Sequence, residues 1–151
     1  MMPPRPILRL GWAIHRTLFR LSGGRLGTAR PTATGKLGTL FLLTRGRTSG
    51  QIRRNGLFYL DDGRNLVVIA SNAGADHHPA WWRNLQVTPR AKVEIGVTTR
   101  SVVGRAATPE ERARLWPLVV KASSQYGVYE ATTTRPIPVV ILEPADPGPG
   151  G

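Results

Sequence analysis

The chain has 151 residues, 40% of them hydrophobic, and a formal net charge of +12, which is enough for one domain with a sizeable core. It has no Cys, which excludes disulfides, zinc–thiolate sites and thiol nucleophiles and fits a reducing cytoplasm. No run of eighteen apolar residues is present, which excludes a membrane-spanning helix. The charge is uneven. The first acidic residue is Asp61, so the first sixty residues hold eleven Arg and Lys unopposed, while the remainder holds ten basic and nine acidic residues. That bias calls for an anionic partner: nucleic acid, a membrane surface or a phosphorylated cofactor.

Residues 5–21 (RPILRLGWAIHRTLFRL) have helical periodicity. At about 100° per residue, Ile7, Leu10, Ile14, Leu18 and Leu21 share one face and Arg5, Arg9, Arg16 and Arg20 the opposite one. Such a basic amphipathic helix either packs on the domain or lies on an anionic membrane surface. Its apolar part is interrupted by Arg, unlike a signal peptide. A Gly-, Thr- and Arg-rich connector follows over 22–37. Residues 39–44 (TLFLLT) then read as a buried strand, 46–50 as a turn, 56–60 as a second strand, Asp61-Asp62-Gly63 as a hairpin turn and 66–70 as a third strand. A Gly-containing loop over 72–78 leads to a short helix over 79–85 with Pro in its first turn. Residues 91–97 alternate, with Val93, Ile95 and Val97 on one face. A hairpin at Thr98-Thr99 leads to a strand over 101–107. Thr108-Pro109-Glu110-Glu111 has the pattern of a capped helix start, with Thr as N-cap, Pro at N1 and Glu at N3. That helix runs to about Ala122, a last strand covers 139–142, and the Pro/Gly-rich tail frays. Hairpin-linked short strands predict a mainly antiparallel sheet, most economically a small barrel with peripheral helices.

No Ser-hydrolase, zinc-protease, P-loop or dinucleotide-fold signature occurs. Two adjacent His (His77, His78) do not make a metal site, and no metal is expected. The distinctive segment is 44–55 (TRGRTSGQIRRN), where two glycines frame hydroxyls and four arginines directly after a strand. Glycine permits tight turns whose N–H groups face an anion, Thr48 and Ser49 can donate to phosphate oxygens, and Arg forks bind phosphate bidentately. Four arginines this close repel one another without a counter-charge. A solvated basic turn is the competing reading. The second segment, 70–85 (ASNAGADHHPAWWRNL), joins a strand end to a helix N-terminus. Trp81 there is placed to wall a planar ring or to fill the core.

GRTSGQIRRN, ASNAGADHHPAWWRNL, EERARLWPLV and TTRPIPVVILEP, in order and in register over roughly residues 35–144, resemble the deazaflavin-dependent nitroreductase family of flavin/deazaflavin oxidoreductases. The resemblance implies an antiparallel split β-barrel of the FMN-binding type. It also implies reduced coenzyme F-420, a deazaflavin with an anionic phospholactyl and oligoglutamate tail, as cofactor. Matched residue by residue, Arg47, Thr48, Ser49 and Arg53 would hold the tail and Asn55 would sit beside the cofactor. Ala70, Ser71 and Asn72 would border the ring, Trp81 would pack near it, and Asn84 would support the helix. Tyr126 and Tyr129 match the substrate-side, catalytic tyrosines. Ser123 stands where some nitroreductases carry Tyr, which bears on nitroimidazole turnover.

The expected activity is hydride transfer from reduced F-420 to a small-molecule electron acceptor: a quinone, nitroaromatic or enone. The alternative is a split-barrel protein loaded with FMN, haem or a fatty acid. Nucleic acid is set aside, since no RNP, helix-turn-helix or zinc signature accompanies the basic charge. The expected organisation is a basic helix and connector over 1–34, a barrel domain over 35–144 and a tail over 145–151. The protein is expected in the cytoplasm, as a monomer or homodimer, with the helix offering attachment to the inner face of the membrane.

Overall fold

The structure is a computed structural model that describes residues 28–31 and 35–146. The 5–21 segment, most of the connector and the end of the tail lie outside those residues. Six strands, β1 (Gly38–Arg45), β2 (Ile52–Asp62), β3 (Asn65–Ile69), β4 (Arg90–Ile95), β5 (Thr98–Ala106) and β6 (Val139–Pro144), close into a barrel in the order β1-β2-β3-β6-β5-β4. Each pairing is antiparallel. The mainly β split barrel expected from the sequence is the fold adopted. Among the described residues three helices accompany it: α1 (Ala80–Val87), α2 (Pro109–Ala122) and α3 (Gln125–Thr132).

Strand alternation sorts side chains onto two faces. Leu40, Leu42, Tyr59, Leu66, Val68, Val93, Val102, Val140 and Leu142 form one cluster, to which α1 adds Trp81, Trp82 and Leu85. A second cluster unites Val67, Val139 and Ile141 with Leu115 of α2, flanked by Ile69 and Trp116. Strands β3 and β6 are thus apolar on both faces. This explains their unbroken hydrophobic runs, which strict alternation would not give. Burying Leu115 against this outer face stabilises the docked helix by about 2 kcal/mol.

The start of α2 is the capping box the sequence predicts. Thr108 Oγ1 accepts from the Glu111 N–H at 3.2 Å, and the Glu111 carboxylate accepts from the Thr108 N–H at 2.9 Å. The same carboxylate takes two hydrogen bonds from Arg105, at 2.6 and 3.0 Å, and Arg105 also donates to Glu143 at 2.7 Å. These bonds, Arg105 foremost, hold the Glu111 carboxyl down at about 2, and they tie α2 to β5 and β6.

Four local expectations are corrected. Strand β2 starts at Ile52, not Gly56, so Arg53, Arg54 and Asn55 are strand residues. The β4–β5 turn lies at Gly96-Val97, where Gly96 takes φ +59°. Thr98 and Thr99 already pair with Ile95 and Glu94. Val97 is therefore 75% exposed rather than in register with Val93. Helix α3 was not expected at all. In the connector, Ala29 bridges Thr39, and Thr28 Oγ1 accepts from the Gly96 N–H at 2.6 Å.

Candidate active site

The β1–β2 connection is a tight turn. Gly46 N–H donates to Gln51 O at 2.7 Å, Gly50 N–H to Gly46 O at 2.8 Å, and Gly50 adopts φ +72°. A Cβ on Gly46 would stand 2.8 Å from Ser49 Oγ and 3.1 Å from Gln51 O, so a larger residue there would have to turn the Ser49 side chain aside. The four arginines diverge from it. Arg45 donates to Gly50 O at 3.1 Å, and Arg53 reaches Ser49 Oγ at 3.5 Å. Arg54 pairs with Glu94 at 3.0 Å and lies over the Phe41 ring at 4.6 Å. Arg54 is therefore a barrel-wall residue whose charge is answered within the protein.

Arg47 is held differently. Its backbone N–H and its Nη1 both donate to Asn84 Oδ1, each at 3.1 Å, while Asn84 Nδ2 donates to Thr44 Oγ1 at 3.1 Å. Asn84 and Thr44 are buried at 3% and 1% exposure. One amide from α1 thus fixes the end of β1, the turn and the Arg47 guanidinium relative to one another. The sequence-level role of Asn84, support of its helix, is better described as bracing Arg47.

Beyond β3 the chain makes a short 3-10 turn, Asn72–Gly74, with three consecutive residues at positive φ: Asn72 (+46°), Ala73 (+54°) and Gly74 (+77°). Asn72 and Ala73 are strained in this conformation. Two elements hold it. A Cβ on Gly74 would meet Tyr129 Cδ1 at 3.2 Å, which shows how closely α3 packs on the turn. Arg135 spans the loop with Nη2 to Ser71 O at 2.7 Å, Nε to Ala75 O at 2.8 Å and Nη1 to His78 Nδ1 at 3.0 Å.

A cleft of about 690 Å³ lies among these parts. Its walls include Arg47, Asn55, Ser71, Asn72, Trp81, Tyr126 and Tyr129, seven of the eleven residues expected at the site. Ala70 is fully buried behind them and does not line it. Thr48 and Ser49 on the turn and Arg53 at the start of β2 are exposed beside Arg47 and do not line it either. Trp81 is both wall and core, at 4% exposure. Tyr126 and Tyr129, three apart on α3, meet edge to face with ring centroids 6.0 Å apart. Burial pushes both phenols up, Tyr126 strongly, so both hydroxyls stay protonated at neutral pH.

Ser123, singled out in the sequence, does line the cleft, whereas sequence reasoning missed His77, His78, Arg83 and Gln125 as lining residues and Arg135 as the loop's staple. His78 and Arg135 each fall within a segment that carries the family resemblance, but their pairing spans the chain. Among the described residues no Asp or Glu lines the cleft, and no group of three or more metal-binding side chains occurs. An acid-free cleft edged by Arg47 and Arg83, with Asn and Ser donors and a Trp wall, suits a planar ring bearing an anionic tail.

Barrel and cleft together define a split-barrel protein of the flavin/deazaflavin-binding class. The profile of the F420H(2)-dependent quinone reductases matches residues 12–144, and the chain belongs to that family, whose cofactor is reduced coenzyme F-420. A Mycobacterium tuberculosis protein named for the same activity is 41% identical over 106 residues, covering 70% of this chain and 89% of the relative. A second, also from Mycobacterium tuberculosis, is 33% identical over 132 residues, covering 85% and 87%. Among solved structures, an F420-H2-dependent reductase superposes with TM-score 0.64 at 31% identity, over 70% of this chain and 93% of that one. A domain-swapped dimer superposes with TM-score 0.68 at 28% identity, over 89% and 99%. A haem storage protein from Vibrio cholerae, with TM-score 0.54 at 14% identity, shares the fold alone.

Proposed function

We propose that the protein reduces a quinone with reduced coenzyme F-420 in this cleft. The observation that carries the reading is the joining of a braced arginine turn to an acid-free, Trp- and Tyr-walled cleft. Bound there, reduced F-420 supplies a hydride to the acceptor. The chain's residues do the rest. Arg47, with Thr48 and Ser49 on the same turn and Arg53 at the start of β2, neutralises the phosphate and tail. Asn55, Ser71 and Asn72 offer hydrogen bonds at the ring's edges, and Trp81 walls its face. Tyr126 and Tyr129 close the acceptor side, exclude water and hold protons at their hydroxyls, which are donors because burial keeps them neutral.

Nitroaromatics and enones belong to the same proposal as further acceptors, with nitroimidazoles disfavoured by Ser123 at the cleft wall. Residues 5–21 complete it: laid on an anionic membrane surface, the basic helix would bring the cleft to a lipid-dissolved quinone. The domain-swapped relative makes a homodimer the assembly to test for. Anaerobic mixing of protein, reduced F-420 and menadione should return the oxidised deazaflavin absorbance catalytically. Turnover no faster than without protein sinks the reading. A liposome sedimentation assay at low salt tests the membrane part, which fails if full-length protein stays in the supernatant.

A further inference from the structure

His78 lines the cleft, and the proposal above gives it no task. Its surroundings fix its chemistry. Arg135 Nη1 lies 3.0 Å from His78 Nδ1. A guanidinium has only donors, so Nδ1 must accept. The imidazole proton then resides on Nε2, and the ring is neutral, because a protonated ring has no acceptor to offer. The geometry is stiff, since the same guanidinium is anchored on Ser71 O at 2.7 Å, Ala75 O at 2.8 Å and Ala70 O at 3.3 Å. Charges nearby point the same way. Burial and the cations Arg135 and Arg83 lower the His78 pKa below its ordinary value. Asp76, the nearest carboxylate in sequence, is engaged with His77 at 3.0 Å.

We infer that His78 is a fixed, neutral Nε2–H donor that hydrogen-bonds a carbonyl oxygen at the reacting end of the cleft. Arg135 acts through it as a positioning residue. The reacting end is indicated by the anchor points, because the Ala70 and Ser71 carbonyls belong to the strand end that borders the expected ring position. A neutral donor suits this place. As the acceptor gains a hydride, negative charge collects on its carbonyl oxygen, and a preset N–H stabilises that charge without a proton having to be loaded first. The carbonyl belongs either to the acceptor or to the deazaflavin ring, and the kinetics separate the two.

This inference rests on the reductase reading, but its first test does not. In ¹⁵N-edited NMR of the free protein, His78 should show a protonated Nε2 and an unprotonated Nδ1 at neutral pH, and should titrate below the ordinary His value. An Nδ1–H tautomer, or titration at the ordinary His value, overturns it. The second test compares His78→Leu, which removes the donor, with His78→Gln, whose amide nitrogen replaces it. If the oxygen is the acceptor's, His78→Leu should lower kcat with menadione roughly 100-fold at unchanged F-420 affinity. If it is the cofactor's, F-420 affinity should fall about tenfold. In either case His78→Gln should recover most of the loss. Equal defects in the two variants, or none in either, refute the donor role. Failure of wild-type protein to bind F-420 would instead refute the reductase reading, with the tautomer still decided on the free protein.

Discussion

Replacing Asn84 by Ala isolates the brace behind the arginine turn. The side chain makes three hydrogen bonds, two accepted from Arg47 and one donated to Thr44 Oγ1, from a site only 3% exposed. Loss of such bonds costs on the order of 1 kcal/mol each, and the Thr44 hydroxyl, at 1% exposure, is left without its donor. Together these come to about 3 kcal/mol, or a fall in Tm of roughly 10 °C for a domain of this size. The functional consequence is separate. Arg47 loses the contact that holds its guanidinium toward the cleft and must order itself on binding, so F-420 affinity should weaken about tenfold, some 1.4 kcal/mol. Thermal unfolding gives the first number and deazaflavin fluorescence titration the second. Asn84→Asp keeps the acceptor for Arg47 and should spare binding better than Ala. If Asn84→Ala lowers stability as predicted but binds F-420 as wild type does, the brace does not orient Arg47.

Gly38→Ala should destabilise the protein by about 3 kcal/mol or more, because its Cβ would stand 2.6 Å from both Ala29 O and Tyr59 Cε1. Chemical denaturation checks this, and a change under 1 kcal/mol would mean that the 28–31 segment yields easily. Tyr126→Phe should lower kcat with menadione about tenfold while leaving F-420 affinity within about twofold. The wild-type rate should stay flat to about pH 9, since burial raises the phenol's pKa above its ordinary value of 10.0. Glu111 carries a depressed folded pKa, about 2 against 4.5. Its contribution is complete above the unfolded value and is lost as pH falls through the folded one. The unfolding free energy should therefore decline between about pH 4.5 and 2, and Glu111→Gln should flatten that decline. A wild-type curve parallel to the variant's would contradict the Arg105 and Thr108 contacts to Glu111.

What the sequence disclosed follows from the range of each interaction. The Thr108 capping box lies within four residues and could be read directly. The paired apolar runs of β3 and β6 were legible as strands because burial on both faces leaves no polar gaps. Arg53, Arg54 and Asn55 looked like turn residues, since charge clusters favour loops. Arg54 nonetheless extends β2, because Glu94 from β4 neutralises it and Phe41 from β1 carries its guanidinium. Helix α3 has Gly127, Val128 and Thr132 within eight residues, a poor local signal. Packing overrides it: a Cβ on Gly127 would be 3.5 Å from Val120 Cγ1, and Tyr129 seats against Gly74. At the site, motif resemblance brought Arg47, Asn55, Ser71, Asn72, Trp81, Tyr126 and Tyr129 to one cleft. The Arg135–His78 contact joins residues 57 apart, and no local pattern announces it.

In the proposed function the arginine turn and the acid-free cleft hold an anionic deazaflavin. An anaerobic titration of F-420 into wild-type protein and into the Arg47→Ala, Arg53→Ala double variant tests it most directly. Saturable one-to-one binding by wild type is predicted, weakened at least tenfold in the double variant, whose Tm should fall by no more than about 4 °C for the lost Arg47–Asn84 side-chain bond. Equal affinity in the two proteins, or no binding to wild type while FMN or haem binds tightly, would contradict it.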